Sequence, residues 1–274
     1  MRNPGKNPII AIDRGASFTD FAVVDNRNII DTKSLENRDW NNIGEIYEKL
    51  ITRYQTRQVV FTGSVSGMPE DMRDTVTVIP EIEAIGFGSA ALAEKSECVV
   101  ASMGTGTAIV HFNNNTVRHL GGTGVGGGTI KGLGSLLCGT EDPAIIEKLA
   151  LKGNPSNTNL TISDLGYESV SFLGADMTAS NFAAIKSRSN EDLSAGILSL
   201  VTETVGIIAS ICAREAGCMD NLVMVGKVAR NQVVRDILSL VGTLYQTTFS
   251  VPDNPGFATV YGASVKYEYD LSIS

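Results

Sequence analysis

The sequence predicts a two-lobed α/β fold. Three observations carry that expectation. A three-stranded meander occurs twice in the first half of the chain. Strands alternate with helices in the second half. And 274 residues with 43% hydrophobic content suffice for one large domain or two lobes, each with a real core.

Residues 8–13, PIIAID, form a short apolar run that ends in an acid. FAVVD follows, then the turn NRN, then IIDTKSL, which read as three strands joined by tight turns. Residues 43–57 show helical periodicity, QVVFTG reads as a buried strand, and residues 81–95 as a helix. The pattern then repeats: CVVASMGTG, TAIVHF, the turn NNN, and TVRHL. A sheet with helices packed on it is therefore expected twice. Beyond the second meander, GTIKGLGSLL opens a helix, and residues 139–196 are mixed. Residues 196–216 read as a buried helix, because Thr202, Glu203 and Arg214 argue against a membrane span. NLVMVG is a strand, residues 228–242 a helix, TTFSVP a strand, and residues 256–268 a closing helix.

The formal net charge of −8 does not favour a nucleic-acid or membrane-surface role. The first residues lack the long apolar stretch of a signal peptide. The four cysteines (Cys98, Cys138, Cys212 and Cys218) form no C-x-x-C pair, and Cys98, Cys138 and Cys212 sit in apolar runs as reduced thiols. With only His111 and His119, the spacing assembles no zinc cluster. A reducing, cytoplasmic setting is expected.

Between Gly121 and Gly134, eight of fourteen residues are glycine. Glycine lets backbone N–H groups converge on an anion, and a helix N-terminus adds partial positive charge. Three segments invite that reading: Asp13, Gly15 and Ser17 in the turn of the first meander, Gly104, Thr105, Gly106 and Thr107 in the equivalent turn of the second, and Gly121 to Gly128, with Gly126, Gly127 and Gly128 last, before a helix. The hydroxyls of Ser17, Thr105 and Thr107 are potential donors to phosphate. Asp13 is suited to hydrated Mg²⁺, which favours oxygen ligands. Each segment alone also fits an ordinary hairpin. Gly122, Gly124 and Gly127 satisfy the dinucleotide fingerprint G-x-G-x-x-G, but Glu141 and Asp142 follow a helix end rather than a second parallel strand. No Walker-type P-loop sequence is present.

The repeated meander with phosphate turns resembles the actin-like ATPase superfamily, which unites sugar kinases, chaperones and acyl-CoA-linked ATPases on a duplicated ribonuclease H-like fold. Within it, residues 104–137, DMTASNF at 176–182, NLVMVGKVARNQVVR and NPGFATVYGA resemble the type II pantothenate kinases across nearly the whole chain. The resemblance implies an N-terminal lobe at 1–97, a C-terminal lobe at 98–274, an interlobe nucleotide cleft, and transfer from ATP to pantothenate, the first step of coenzyme A biosynthesis. It implies Mg-ATP held by Asp13 and the glycine turns, with Gly226, Asn231 and Phe257 of the 257–263 segment flanking adenine. Glu81 becomes the general base; a solvated acid favoured at a helix start is the alternative. Glu83, on a different face, is structural or a charge supporting the site from behind. The family's substrate serine is here Ala108, and its carboxylate-binding arginine is His119, with Arg118 one step earlier on the opposite strand face. An imidazole cannot grip a carboxylate at two points as a guanidinium does. A different hydroxylated acceptor, or an ATP-binding regulator without one, stays open. A homodimer is implied, with residues 196–213 either its interface or a core helix.

Overall fold

The computed structural model describes residues 8–36 and 40–274. The first seven residues, read above as no leader, lie outside this range.

Hairpin turns set the first sheet. β1 (Ile9–Arg14), β2 (Phe18–Asp25) and β3 (Asn28–Glu36) pair antiparallel. Their second turn is made by Asn26 and Arg27, both at positive φ, the geometry a two-residue hairpin needs. After α1 (Trp40–Tyr54), β4 (Val59–Gly63) joins β1 in parallel. The short α2 (Glu70–Arg73) and β5 (Thr77–Val78) complete the sheet before α3 (Glu81–Leu92).

The second sheet repeats the plan. β6 (Glu97–Met103), β7 (Thr107–Asn113) and β8 (Thr116–Thr123) form the meander, with Asn114 and Asn115 at positive φ in the turn. A long excursion follows: α4 (Gly127–Cys138), α5 (Pro143–Ala150), the short strands β9 (Leu160–Thr161), β10 (Ser169–Val170), β11 (Leu173–Gly174) and β12 (Thr178–Ser180), and then α6 (Asn190–Glu215). The chain closes with β13 (Leu222–Val225), α7 (Gln232–Tyr245), β14 (Phe249–Ser250) and α8 (Ala258–Ile273). The strand orders are β3-β2-β1-β4-β5 and β8-β7-β6-β13-β14. The expected repeat is thus a repeat of whole sheets.

The layers stack as helix, sheet, helix pair, sheet, helix. Ile43, Ile46 and Leu50 of α1 cover the outer face of the first sheet. Its inner face (Ile9, Ala11, Val24, Val60) packs on α3 and α8, whose other side meets Val100, Val110 and Val223 of the second sheet. One core therefore spans both sheets. Each fully buried branched side chain contributes about 1.5–3 kcal/mol to it. The chain divides between α3 and β6, but α8 returns from the C-terminal end to lie on β1, β2 and β4. α3 and α8 cross so closely that a Cβ on Gly88 or Gly262 would collide with the backbone of the other helix.

The outer face of the second sheet is covered by α6, flanked by α4, α5 and α7. Ser189 caps α6 by accepting from the Asp192 N–H at 3.2 Å. By length and composition α6 could cross a membrane. Here Ile197, Leu198, Val201, Val205 and Ala209 are fully buried in the protein core. Glu203 accepts from Ser199 at 2.6 Å, Thr178 at 3.1 Å and Asn181 at 3.3 Å. That network explains Glu203 inside an apolar run, and assigns Thr178 and Asn181 of DMTASNF to bracing α6.

Candidate active site

The turn after β1 and the turn after β6 meet: Ser17 Oγ lies 3.0 Å from Thr105 Oγ1. Around this junction sit three carboxylates. Asp13 and Asp20 pair across β1 and β2. Glu81 is the first residue of α3, after Pro80, and its side chain is exposed. Pro80 cannot continue a helix backwards, so the acid stands at the helix entrance. Asp13 Oδ1 is buried without a hydrogen-bond partner. Burial pushes the Asp13 carboxyl well above the ordinary range, and the charges of Glu81 and Asp20 add to the shift. A cation would relieve both the orphaned oxygen and the crowded charge. The donor set, carboxylate oxygen at a strand end, fits hydrated Mg²⁺.

The cation now present is Lys227, just beyond β13. Its Nζ is 2.9 Å from Asp20 Oδ1, donates to Ser34 Oγ at 2.7 Å, and lies 3.6 Å above the Phe18 ring. All three partners belong to the first sheet, so Lys227 ties the two halves across the cleft. Desolvation lowers its pKa, opposed by Asp20. Asp20 and Lys227 were not among the residues expected from sequence. GKVARN directly after a parallel strand was the available signal, because ligands in such sheets gather at carboxyl ends of strands.

The glycine run has a different task from the one expected. The N–H groups of Gly127 and Gly128 donate to the carbonyls of Gly104 and Thr105, both at 2.8 Å. Gly126 N–H donates to Thr129 Oγ1 at 3.2 Å. A Cβ on Gly126 would stand 2.7 Å from the Gly106 oxygen, and one on Gly128 would stand 2.8 Å from Thr105 Cγ2. Side chains are missing because this backbone lies against the β6–β7 turn. Gly126, Gly127 and Gly128 brace that turn; their amides are spent and do not cradle an anion. Thr107 is also committed: it is buried and donates to the Val125 carbonyl at 2.8 Å. Gly104, Thr105 and Gly106 are left as the surface of the second turn, with Gly104 and Thr105 exposed. In the first turn, Gly15 N–H donates to Phe18 O at 3.0 Å, and Arg14 reaches the Ser66 carbonyl at 3.2 Å.

The fingerprint alternative also dissolves. Asp142 caps α5 by accepting from Ala144 N–H at 2.9 Å, and Glu141 accepts from Ser135 at 3.2 Å.

Of the residues expected to flank adenine, Gly226 holds φ +92° with its Cα against the Met103 carbonyl, where a Cβ would clash. Asn231 caps α7, accepting from Val234 N–H at 3.1 Å. Phe257 lies under the Arg230 guanidinium at 5.1 Å. Of the 257–263 segment, Ala258, Val260, Tyr261 and Ala263 are buried between the sheets. Only the Phe257 end borders the Gly226 turn, joined by a hydrogen bond from Gly226 N–H to Pro255 O at 2.8 Å. Arg230 was not among the residues expected from the sequence.

The residues expected at the acceptor separate by strand face. His119 pairs with Val110, and Val117 with Phe112, so His119 and Val117 share the face turned toward α3. Ala108 packs on that same interior. Arg118 pairs with His111 and points the other way, as alternation requires. The register shifts between Ile109 and Val110, a bulge that leaves His119 on the inner face. Glu83 is occupied elsewhere, 2.9 Å from Lys266 Nζ.

Duplicated sheets with facing turns define a two-lobed actin-like ATPase fold, and solved structures align over nearly the full length. The activator of 2-hydroxyisocaproyl-CoA dehydratase from Clostridium difficile, with bound ADPNP, has a TM-score of 0.67 at 16% identity, covering 97% of this chain and 98% of that one. A ROK family glucokinase from Streptomyces griseus, in complex with glucose and AMPPNP, has a TM-score of 0.58 at 14% identity, covering 93% and 97%. The chain belongs to the Fumble family, the type II pantothenate kinase family, whose model matches residues 91–247. Among relatives, the type II pantothenate kinase of Oceanobacillus iheyensis is 29% identical over 69% of this chain and 74% of its own. That of Staphylococcus haemolyticus is 27% identical over 75% and 81%.

Proposed function

We propose that the protein is an ATP-dependent pantothenate kinase, converting ATP and pantothenate to ADP and 4′-phosphopantothenate. Family membership and the relatives' activity support the reaction class. The observation that carries the site is an exposed carboxylate, Glu81, beside a buried and unpartnered one, Asp13, where two hairpin turns converge. Glu81 accepts the proton of the acceptor hydroxyl as that oxygen attacks the γ-phosphorus and the bond to the ADP oxygen breaks. Asp13, with Asp20 next to it, would hold Mg²⁺. The metal would neutralise polyphosphate charge. The hydroxyls of Ser17 and Thr105 and the Gly106 amide face the phosphates, while Gly15 and Gly104, whose amides are engaged within their own turns, let the backbone come close. Lys227 offers its ammonium to the same anion. Gly226, Asn231, Arg230 and Phe257 border the nucleoside. Ala108 and His119 line the acceptor side. Of the described residues, those through Ser96 together with α8 form one lobe and the rest the other.

Two measurements test this. Turnover of ATP with Mg²⁺ over a panel of hydroxylated acceptors should show pantothenate-dependent ADP release; release without any acceptor would point to an ATPase regulator. Glu81→Gln should keep ATP binding yet lose transfer by about 10²-fold or more. Normal turnover in that variant would remove Glu81 as the base.

A second acceptor of related shape is favoured by one observation: His119, not Arg118, lies on the strand face turned toward α3. If pantothenate binds there through its carboxylate, His119→Arg should lower its KM, since a guanidinium fork holds a carboxylate at two points. A raised or unchanged KM points to another acceptor. We also place the protein in the cytoplasm as a homodimer. α6 is core, so the pairing surface falls instead on exposed apolar residues such as Leu136, Ile145 and Leu151 of the α4–α5 region. Sedimentation velocity showing only monomer at micromolar concentration would reject the dimer.

A further inference from the structure

Far from the cleft, three potential metal donors converge that the sequence spacing does not connect. Val99 pairs with His111 and Glu97 with Asn113 in the β6–β7 ladder, so Glu97 and His111 are diagonal neighbours on one face. His111 Nε2 lies 3.0 Å from Glu97 Oε1. Cys218, in the connection between α6 and β13, brings its thiol to them: the three donor atoms all lie within 4.8 Å of one another. The cysteine is fixed by its backbone. Cys218 N–H donates to Ala213 O at 2.8 Å, Asn221 N–H donates to Cys218 O at 3.1 Å, and Val99 N–H donates to Asn221 O at 3.0 Å. The loop is thereby stitched to β6 beside the other two donors. Asn113 Nδ2 donates to Glu97 Oε1 at 2.7 Å and sets the carboxylate's orientation, the outer-shell support typical of metal sites.

We infer that Glu97, His111 and Cys218 form a zinc site. One nitrogen, one oxygen and one sulfur donor suit a borderline ion such as Zn²⁺ and not Mg²⁺ or Ca²⁺. The ion replaces the proton shared by His111 Nε2 and Glu97 Oε1, and the Cys218 thiol releases its proton to solvent on coordination. The Glu97 side chain is 44% exposed and the His111 side chain 14%, which gives the ion a path in and leaves a fourth position for water. Burial, and then the Glu97 charge, push the free Cys218 thiol up. A divalent cation between thiolate and carboxylate removes that repulsion. The cations nearby are Arg118, opposite His111 on β8, and Lys95, whose charge reaches Cys218; both are exposed and screened by salt. The seven residues of β6 put this cluster about 20 Å from the Gly104 turn, at roughly 3.3 Å per residue. The role is therefore structural: the ion fastens the β6–β7 hairpin to the end of α6.

The test uses the full chain, freed of metal with a chelator and kept reduced, and titrated with Co²⁺ as the spectroscopic probe. A thiolate-to-cobalt charge-transfer band should saturate at one equivalent and be displaced by Zn²⁺. Cys218→Ser should abolish the band. Glu97→Gln, at an exposed position, should fold normally, keep its ATP turnover, and bind Co²⁺ at least about 10-fold more weakly, the scale on which even outer-shell changes act. Absence of the band in the unaltered protein overturns the proposal. So does equal affinity in Glu97→Gln, which would mean adventitious metal only.

Discussion

The two hairpin turns occupy equivalent places in equivalent sheets, yet they are built by different means. The turn after β1 carries charge. Asp13 and Asp20 flank it, and it is tied down by Arg14 and by Ser64 N–H donating to Arg14 O at 2.9 Å. The turn after β6 carries no ionisable group. It is clamped by backbone against backbone, with the start of α4 pressed onto Gly104 and Thr105. One topology thus yields an electrostatic half and a shape half. Duplication supplies the frame, and divergence inside the turns assigns the work.

The comparison breaks first at Asp13. Asp13→Asn keeps the shape and removes the charge, so Mg²⁺-dependent turnover should fall by about 10²-fold or more, since metal clamping is worth several kcal/mol. The metal-free variant should also melt higher than the parent at neutral pH, because an ionised carboxylate no longer has to be buried. The sign follows from the raised Asp13 pKa. The folded protein holds this proton more tightly than the unfolded chain does, so this group's contribution to stability falls as pH rises from the unfolded value toward the folded one. Metal-linked nucleotide binding should run the other way and strengthen over the same rise. An unchanged melting temperature together with unchanged turnover would show that the first turn is not the charged half.

Gly126→Ala attacks the shape half. Its Cβ meets the Gly106 carbonyl at 2.7 Å, and relieving such overpacking typically costs about 1–3 kcal/mol. Thermal unfolding should register the loss, and ATP affinity should drop while the Mg²⁺ requirement persists. Wild-type stability would refute the brace.

Lys227→Met sharpens the comparison by cutting the tie between the halves. Nucleotide affinity by calorimetry should weaken about 10-fold, in line with one charge-assisted hydrogen bond of roughly 1.5 kcal/mol, and the melting temperature should fall because Asp20 is left buried without its partner. If affinity holds, Lys227 is only an interlobe tether.

Much of this was legible in the sequence, for a local reason. Period-two alternation and the NRN and NNN turns are short-range signals, so both meanders could be read directly. β5 and β9 to β12 were not readable, because two or three residues carry no periodicity. The site was half legible. Ser17 and Thr105 stood out as turn residues and do meet, and Asp13 and Glu81, marked by a strand end and a helix start, lie near enough for their charges to interact. Gly126, Gly127 and Gly128 were misread because glycine reports only that something comes close, and the partner was protein. Lys227 and Arg230 gave no local sign, since their partners lie in distant segments.

The sequence by itself determined the repeating units, the helices between them and the residues at their turns, because strand alternation and turn preference act over a few neighbours. Long-range packing alone sets the return of α8 to the first sheet, the bracing of a turn by the glycine run, the placement of His119 rather than Arg118 on the α3-facing side of β8, and the meeting of Glu97, His111 and Cys218. Those outcomes depend on packing between residues far apart in the chain, where excluded volume and burial, not local preference, select the partner.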